Sequence, residues 1–239
     1  MSVTTTERVV HGVDESAGIV VEQVRCEPGN LSYVVGDLAT GAAGIIDPEA
    51  AGHRRYRAAL ERHDLRVAWV LDTHTHVDHV STTRELAAEH GCPLVMCVRS
   101  QSPRATLRLR DGDRLALGEH ELTAWQCPGH TRDMLVLVGA GRLFSGDTLF
   151  VGSCGRSDLP GGDHRDQWRT LRRLMTLPDE TIVHPGHDYR GNTHSTIGAE
   201  RAHNPRLALG EEAFVADALT RLDMPFPDLF ERSIRANTR

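Results

Sequence analysis

The sequence contains no lysine: all 27 basic residues among its 239 are arginine, set against 33 acidic residues for a net charge of −6. A chain this short of positive charge lacks the basic face from which nucleic-acid binding draws its affinity. No apolar run approaches the ~20 residues of a membrane-spanning helix. Residues 1–10 include Glu7 and Arg8 and no apolar signal core. The five cysteines are an odd number with no C-x-x-C pair. That excludes a disulfide framework and a cysteine zinc finger, and predicts reduced thiols. These absences predict a cytoplasmic protein with neither nucleic-acid nor membrane partners. The content of 39% hydrophobic and 25% charged residues is that of an ordinary folded chain with a sizeable core.

Histidine, by contrast, is abundant at 14 residues. Residues 1–18 show no period and are read as a lead-in, and 19–239 as one domain. Short strands are predicted over Val20–Glu27, Leu31–Leu38 and Gly44–Ile46, then a helix over Ala50–Arg62 and a strand over Leu65–Leu71. A second helix, Ser81–His90, should stop at Gly91. The middle reads as strands at Pro93–Val98, Thr106–Leu117, Glu121–Gln126, Met134–Val138 and Leu143–Phe144. Arg104, Arg108, Arg110 and Arg114 suggest a solvated hairpin around Asp111-Gly112-Asp113. A helix over Arg165–Met175 and a strand over Thr181–Val183 follow. One or two helices and an extended tail complete the chain, and the tail after Pro225 is placed to pack across a second subunit in a homodimer. Two batches of strands, each followed by helices, indicate an α+β, four-layer αββα sandwich.

His74, His76, Asp78 and His79 lie in one run, Thr73-His74-Thr75-His76-Val77-Asp78-His79, directly after a predicted strand. Closely spaced imidazoles and a carboxylate on a strand-end turn can converge on one cation. His130 in Pro128-Gly129-His130-Thr131, Asp147 in Ser145-Gly146-Asp147-Thr148 and His187 in Pro185-Gly186-His187-Asp188 also follow predicted strands. His53, His63, His90, His120 and His203 stand alone and read as surface or helix-end residues. Trp69, Trp125 and Trp168 read as packing.

The ligand residues, in this order, resemble the metal-binding pattern of the metallo-β-lactamase superfamily from about Val20 to Tyr189. Three segments resemble its persulfide dioxygenase (sulfur dioxygenase) branch, a relative of glyoxalase II. They are Gly152-Ser153-Cys154-Gly155-Arg156-Ser157-Asp158, His184–Gly191 and Ser195–Leu207; Leu222-Asp223-Met224-Pro225 looks like that branch's closing segment. Arg132-Asp133 departs from the pattern and would set two charges near the mouth of the site. So does the tail, Ile234–Arg239, which only faintly matches the branch's ending.

The resemblance implies one Fe(II) per chain held by His74, His130 and Asp147. His76, Asp78, His79 and His187 would orient these ligands and line the pocket, with Asp78 and His76 nearest the chemistry. The implied reaction is oxidation of a low-molecular-weight thiol persulfide by O₂ to sulfite and free thiol. Arg156, Tyr189 and Cys154 would contact the substrate; Arg156 could equally pair with Asp158. The other reading is a dinuclear zinc hydrolase of thioesters, like glyoxalase II. There His74, His76 and His130 would hold one Zn(II), Asp78, His79 and His187 the other, and Asp147 would bridge them.

Overall fold

All eight residues of the segment Asn30–Asp37 are buried, with Leu31, Tyr33 and Val35 on one side and Val34 on the other. A strand apolar on both faces belongs inside a layered sandwich. The computed structural model, which describes residues 12–16, 18–26, 29–220 and 229–238, places it there. One sheet holds β1 (Gly12–Ser16), β2 (Ile19–Cys26), β3 (Asn30–Asp37), β4 (Ala42–Ile46), β5 (Arg66–Leu71), β6 (Leu94–Cys97) and β7 (Leu107–Leu109). The other holds β8 (Arg114–Leu117), β9 (His120–Gln126), β10 (Leu135–Gly139), β11 (Arg142–Gly146), β12 (Ile182–Pro185) and β13 (Ser195–Thr196). In both, spatial order follows chain order. Strands β4 to β7 run parallel, as do β11 and β12; the other neighbours are antiparallel.

Three apolar layers hold this sandwich together. Between the sheets lie Ile19, Tyr33, Trp69, Leu71, Leu117, Leu122, Leu135 and Phe144. Helices α1 (His53–Arg62) and α2 (Thr83–His90) bring Tyr56, Ala59, Leu60 and Leu86 against Val20, Val34, Ile45 and Val70 on the outside of the first sheet. On the second sheet, α3 (His164–Leu174), α4 (Ile197–His203) and α5 (Glu211–Leu219) lay Leu171, Leu174, Ile197 and Phe214 over Val136, Leu143 and Val183. The αββα expectation is met. Helix α2 stops at Gly91, whose φ of 63° is the left-handed cap foreseen for it. At the start of α3 the Asp163 carboxylate accepts the Asp166 N–H at 2.8 Å.

Trp69 ties the sheets together. The β4–β5 register shifts at Ala43/Gly44, a bulge that changes which face successive β5 residues present. Val67 therefore meets the helices while Trp69 points between the sheets. Its ring lies on Gly44, where a Cβ would come within 2.1 Å of it. Its Nε1–H donates to the Ala116 carbonyl of the opposite sheet at 2.8 Å.

Several local expectations are revised. Within the predicted lead-in, Gly12–Ser16 pairs with β2 as an edge strand. Thr106–Leu117 is no hairpin: β7 joins β6 in one sheet and β8 joins β9 in the other. Leu109, Leu115 and Leu117 all enter the layer between the sheets, so burial favours a crossover over local pairing. Arg108 is not a solvated side chain either, since its guanidinium donates to the Ser100 and Ser102 carbonyls. His63 is not alone; its Nε2 lies 2.7 Å from the buried Glu22 carboxylate. Instead of running extended, the tail forms a last helix, α6 (Phe230–Asn237). The Leu222–Pro225 segment lies outside the described residues.

Candidate metal centre

The strands β5, β9, β11 and β12 all end at one edge of the sandwich, and the histidine and aspartate turns follow them there. Nε2 of His74 and of His130 and an Asp147 carboxylate oxygen belong to three buried residues whose donor atoms lie within 4.8 Å of one another. His76, Asp78 and His79, of which Asp78 is half-buried, make a second group of the same spacing. His187 lies between the two: its Nδ1 is 2.8 Å from Asp147 Oδ1 and its Nε2 is 3.1 Å from Asp78 Oδ2. Backbone packing at the turn is close, since a Cβ on Gly186 would stand 2.4 Å from Asp147 Oδ1. Every predicted ligand is thus brought to one place.

The fit to a cation can be tested on the histidine tautomers. His130 Nδ1 lies 2.7 Å from the Arg156 carbonyl, which only accepts, so this nitrogen carries the proton and Nε2 keeps its lone pair. His74 Nδ1 lies 3.0 Å from Thr73 Oγ1, whose own proton goes to Asp47 Oδ2 at 2.8 Å; Nε2 is again left with its lone pair. His76 Nε2 lies 3.0 Å from Asp47 Oδ1, which frees Nδ1. Among the described residues no hydrogen-bond partner reaches Nε2 of His74, Nδ1 of His76, Nε2 of His79 or Nε2 of His130. Four buried nitrogens without partners would be costly in a merely structural cluster. They suit a site built for a cation.

Charge follows the same plan. Burial pushes His74 well below the usual imidazole value, and the neighbouring His76 and His130 push it further, so His74 is neutral. Burial also acts on His76, but the Asp47 carboxylate outweighs it and raises this group to about 10. A cation taken up at Nδ1 must displace that proton. His187 is held well above its ordinary value, the Asp147 and Asp78 carboxylates overriding burial.

Behind these groups stand further residues, of which the sequence had singled out Asp133 alone. Asp47, at the end of β4 with φ of 50°, accepts the Thr73 N–H at 2.7 Å as well as the Thr73 hydroxyl and His76. Asp72 accepts the hydroxyls of Ser81 and Thr83 at 2.8 and 2.9 Å. Asn30 Nδ2 lies 3.3 Å from His79 Nδ1 and donates to Glu49 at 3.1 Å. Asp133, expected near the mouth, is buried and accepts both the N–H and the hydroxyl of Thr75; Arg132 alone of that pair is exposed. A signal for Asp47 was present, since it too is an acidic residue closing a predicted strand.

A cavity of about 290 Å³ opens onto His130, Asp147, Asp78 and His187. Cys154, Arg156 and Tyr189 line it, together with Phe150 and Arg190. Arg156 grips Asp158 by Nε at 2.8 Å and Nη2 at 2.6 Å, the pairing foreseen as one of its two roles. Cys154 packs on the outer core of the second sheet. Tyr189 is 70% exposed and stacks on His187, ring centroids 5.7 Å apart. Asp188 next to it is held by Arg25, which also donates to the Asp188 and Asn192 carbonyls. No helix among the described residues is long and apolar enough to cross a membrane.

Known proteins match this architecture. Residues 98–187 match the family model of the metallo-beta-lactamase superfamily. The human protein named persulfide dioxygenase ETHE1, mitochondrial, is 32% identical over 222 residues, covering 91% of this chain and 85% of that one. A hydroxyacylglutathione hydrolase of Rhodospirillum rubrum is 33% identical over 210 residues, covering 86% of this chain and 79% of its own. The crystal structure of ETHE1 from Myxococcus xanthus superposes with a TM-score of 0.87 at 34% identity, covering 91% of this chain and 97% of that one. With its histidine and aspartate turns at one edge of an αββα sandwich and relatives matched over most of their length, the chain belongs to the metallo-β-lactamase superfamily, in the branch of the persulfide dioxygenases.

Proposed function

We propose that this protein is a non-haem iron persulfide dioxygenase. It would convert a low-molecular-weight thiol persulfide, such as glutathione persulfide, with O₂ and water to sulfite and the free thiol: R–S–SH + O₂ + H₂O → R–SH + SO₃²⁻ + 2 H⁺. The observation that carries the reading is His187, whose two ring nitrogens are both engaged by carboxylates, Asp147 and Asp78. His187 then orients neighbours, which leaves His74, His130 and Asp147 as a two-histidine, one-carboxylate face beside the cavity. That donor set is the one suited to Fe(II) with positions left open. His74, His130 and Asp147 would hold the Fe(II), which would supply the redox chemistry for oxidation of the outer sulfur by O₂.

The remaining roles fall to the chain. Asp47 through Thr73, and the Arg156 carbonyl, hold the tautomers of His74 and His130 that present lone pairs. His187 fixes one Asp147 oxygen, and the other lies 3.5 Å from His130 Nε2. Tyr189 and Arg190 flank the cavity, where a hydroxyl and a guanidinium can receive the carboxylates of a thiol such as glutathione. Asp78 lines the cavity and would take up protons released as water enters and the S–S bond breaks.

A second reading keeps its own support. His76, Asp78 and His79 form a second three-donor group, and Nδ1 of His76 and Nε2 of His79 have no hydrogen-bond partner among the described residues, as a dinuclear zinc thioester hydrolase would need. The experiment is metal analysis of protein purified without oxygen from cells given no added metal. About one iron per chain, with O₂ consumed on adding a thiol persulfide, supports the dioxygenase. About two zinc per chain and hydrolysis of hydroxyacyl thioesters sinks it.

A further inference from the structure

Helix α6 reaches the loop that carries His76, Asp78 and His79. Asn237 is the last residue of α6, and it is buried. Its Nδ2 donates to the carbonyls of His76 at 2.9 Å and His79 at 3.0 Å, and its Oδ1 accepts the Ser81 N–H at 3.1 Å. One side chain therefore spends three of the four hydrogen bonds an amide can make on a six-residue stretch about 160 positions earlier in the chain.

His76 and His79 lie outside any helix or strand, so their buried carbonyls cannot be paired by a ladder and need a donor from elsewhere. The two ends of the loop have anchors of their own. At the near end, Thr73 is tied to Asp47. At the far end, Ser81 and Thr83 are tied to Asp72, and the Thr82 N–H to the Pro48 carbonyl. Between these anchors the backbone that carries His76, Asp78 and His79 is gripped by Asn237. The helix presents Ser233 and Asn237, four residues apart and both buried, on one face.

We infer that Asn237 is a positioning residue for the metal centre: by pinning the His76 and His79 carbonyls, α6 sets the height of the loop and with it the aim of its imidazoles and of Asp78. The inference rests on this loop standing at a metal centre, as ligands or beside them, and not on which metal is bound. Partners that orient a metal-binding group from behind commonly contribute 10–100-fold to affinity. An amide at this position is specific, because only it offers two donors and an acceptor together. Asn237→Asp keeps the shape and the acceptor and loses both donors, whereas Asn237→Ala loses all three bonds.

The test uses the full chain, with Arg235→Ala on the exposed side of α6 as the control. Affinities for Fe(II) and, separately, Zn(II) are measured by competition with a chromophoric chelator, and amide exchange by mass spectrometry. Asn237→Ala and Asn237→Asp should each weaken binding of whichever metal the parent takes up by about tenfold or more. Amide exchange over residues 74–82 should rise in both, with the two sheets unchanged. Metal affinity within twofold of the parent overturns the inference, and so does exchange that rises evenly through the molecule. If Asn237→Ala fails to fold, Asn237→Asp decides by the same criteria. A parent that takes two zinc and no iron removes the dioxygenase reading yet leaves this comparison intact.

Discussion

The Arg156 guanidinium closes on the Asp158 carboxylate through two parallel hydrogen bonds, while the backbone carbonyl of the same arginine receives the proton on His130 Nδ1. One residue thus joins a charge pair in the cavity wall to the orientation of a metal-facing imidazole. Arg156→Ala and Asp158→Ala should each destabilise the loop and weaken metal binding. In urea unfolding, the double variant should fall short of additivity by about 1.5 kcal/mol, the low end for hydrogen bonds to charged groups, because both side chains keep some water contact. Additive effects would show that the pair does not order the loop.

With the Arg156 charge matched by Asp158, the cation better placed to meet an anionic thiol is Arg190, exposed at the cavity beside Tyr189. Arg190→Ala should raise KM for glutathione persulfide about 2–5-fold, the size of an exposed ion pair, with kcat nearly unchanged. The difference should shrink as salt is added. An equal rise in KM for an uncharged alkyl persulfide would count against this role.

Variants of the two donor groups should separate. His74→Ala, His130→Ala and Asp147→Ala should each abolish iron binding, while His79→Ala should still carry about one iron per chain. Loss of the first metal in His79→Ala would favour a shared dinuclear site. Because bound metal stabilises only the folded state, chelation should lower Tm in the parent, by about 4 kcal/mol of stability where free metal stands at a thousand times Kd. His130→Ala should show no such drop.

Acid stability should depend on Asp37, which joins the end of β3 to the turn between β8 and β9. This buried carboxylate accepts the Thr40 hydroxyl at 2.7 Å, the Glu119 N–H at 2.9 Å and the Ala39 N–H at 3.0 Å. These bonds, that of Thr40 foremost, hold it below the ordinary aspartate value. Its folded pKa is depressed, so its contribution is complete above the unfolded value of about 3.9 and is lost as pH falls through the folded one. Asp37→Asn should cost about 1–3 kcal/mol at neutral pH. It should also lose less stability than the parent below about pH 4; parallel acid limbs would contradict this.

The ligand turns were legible because each puts its histidine or aspartate straight after an apolar strand, a local pattern that a single sequence displays. The sandwich was legible for the same reason, as Leu31, Tyr33, Val34 and Val35 put apolar side chains on both faces of one strand. What stayed hidden is what depends on distant partners. Asn30 meets His79 across 49 residues and Asn237 meets His76 across 161, and no spacing in the sequence announces either contact. The separation of β7 from β8 was missed because the segment around Asp111-Gly112-Asp113 has the composition of a hairpin turn. Only the placement of Leu109, Leu115 and Leu117 between the sheets shows that the chain changes layers there. Residues 12–16 carry little apolar signal, and their strand exists because β2 offers an open edge.

Because β11 runs toward the ligand edge, the turn that feeds it from β10 lies at the far end of that strand, about 20 Å from Asp147 at ordinary strand rise. Ala140 sits in that turn with φ of 48°, between Gly139 and Gly141, and a Cβ on Gly141 would meet nothing within 4 Å. New chain ends or a fused reporter domain introduced there would leave the cavity mouth clear for a thiol and a dissolved gas. The far pole of this sandwich is thus a natural handle, by which the protein could be tethered to an electrode or a bead with its reactive edge facing outward.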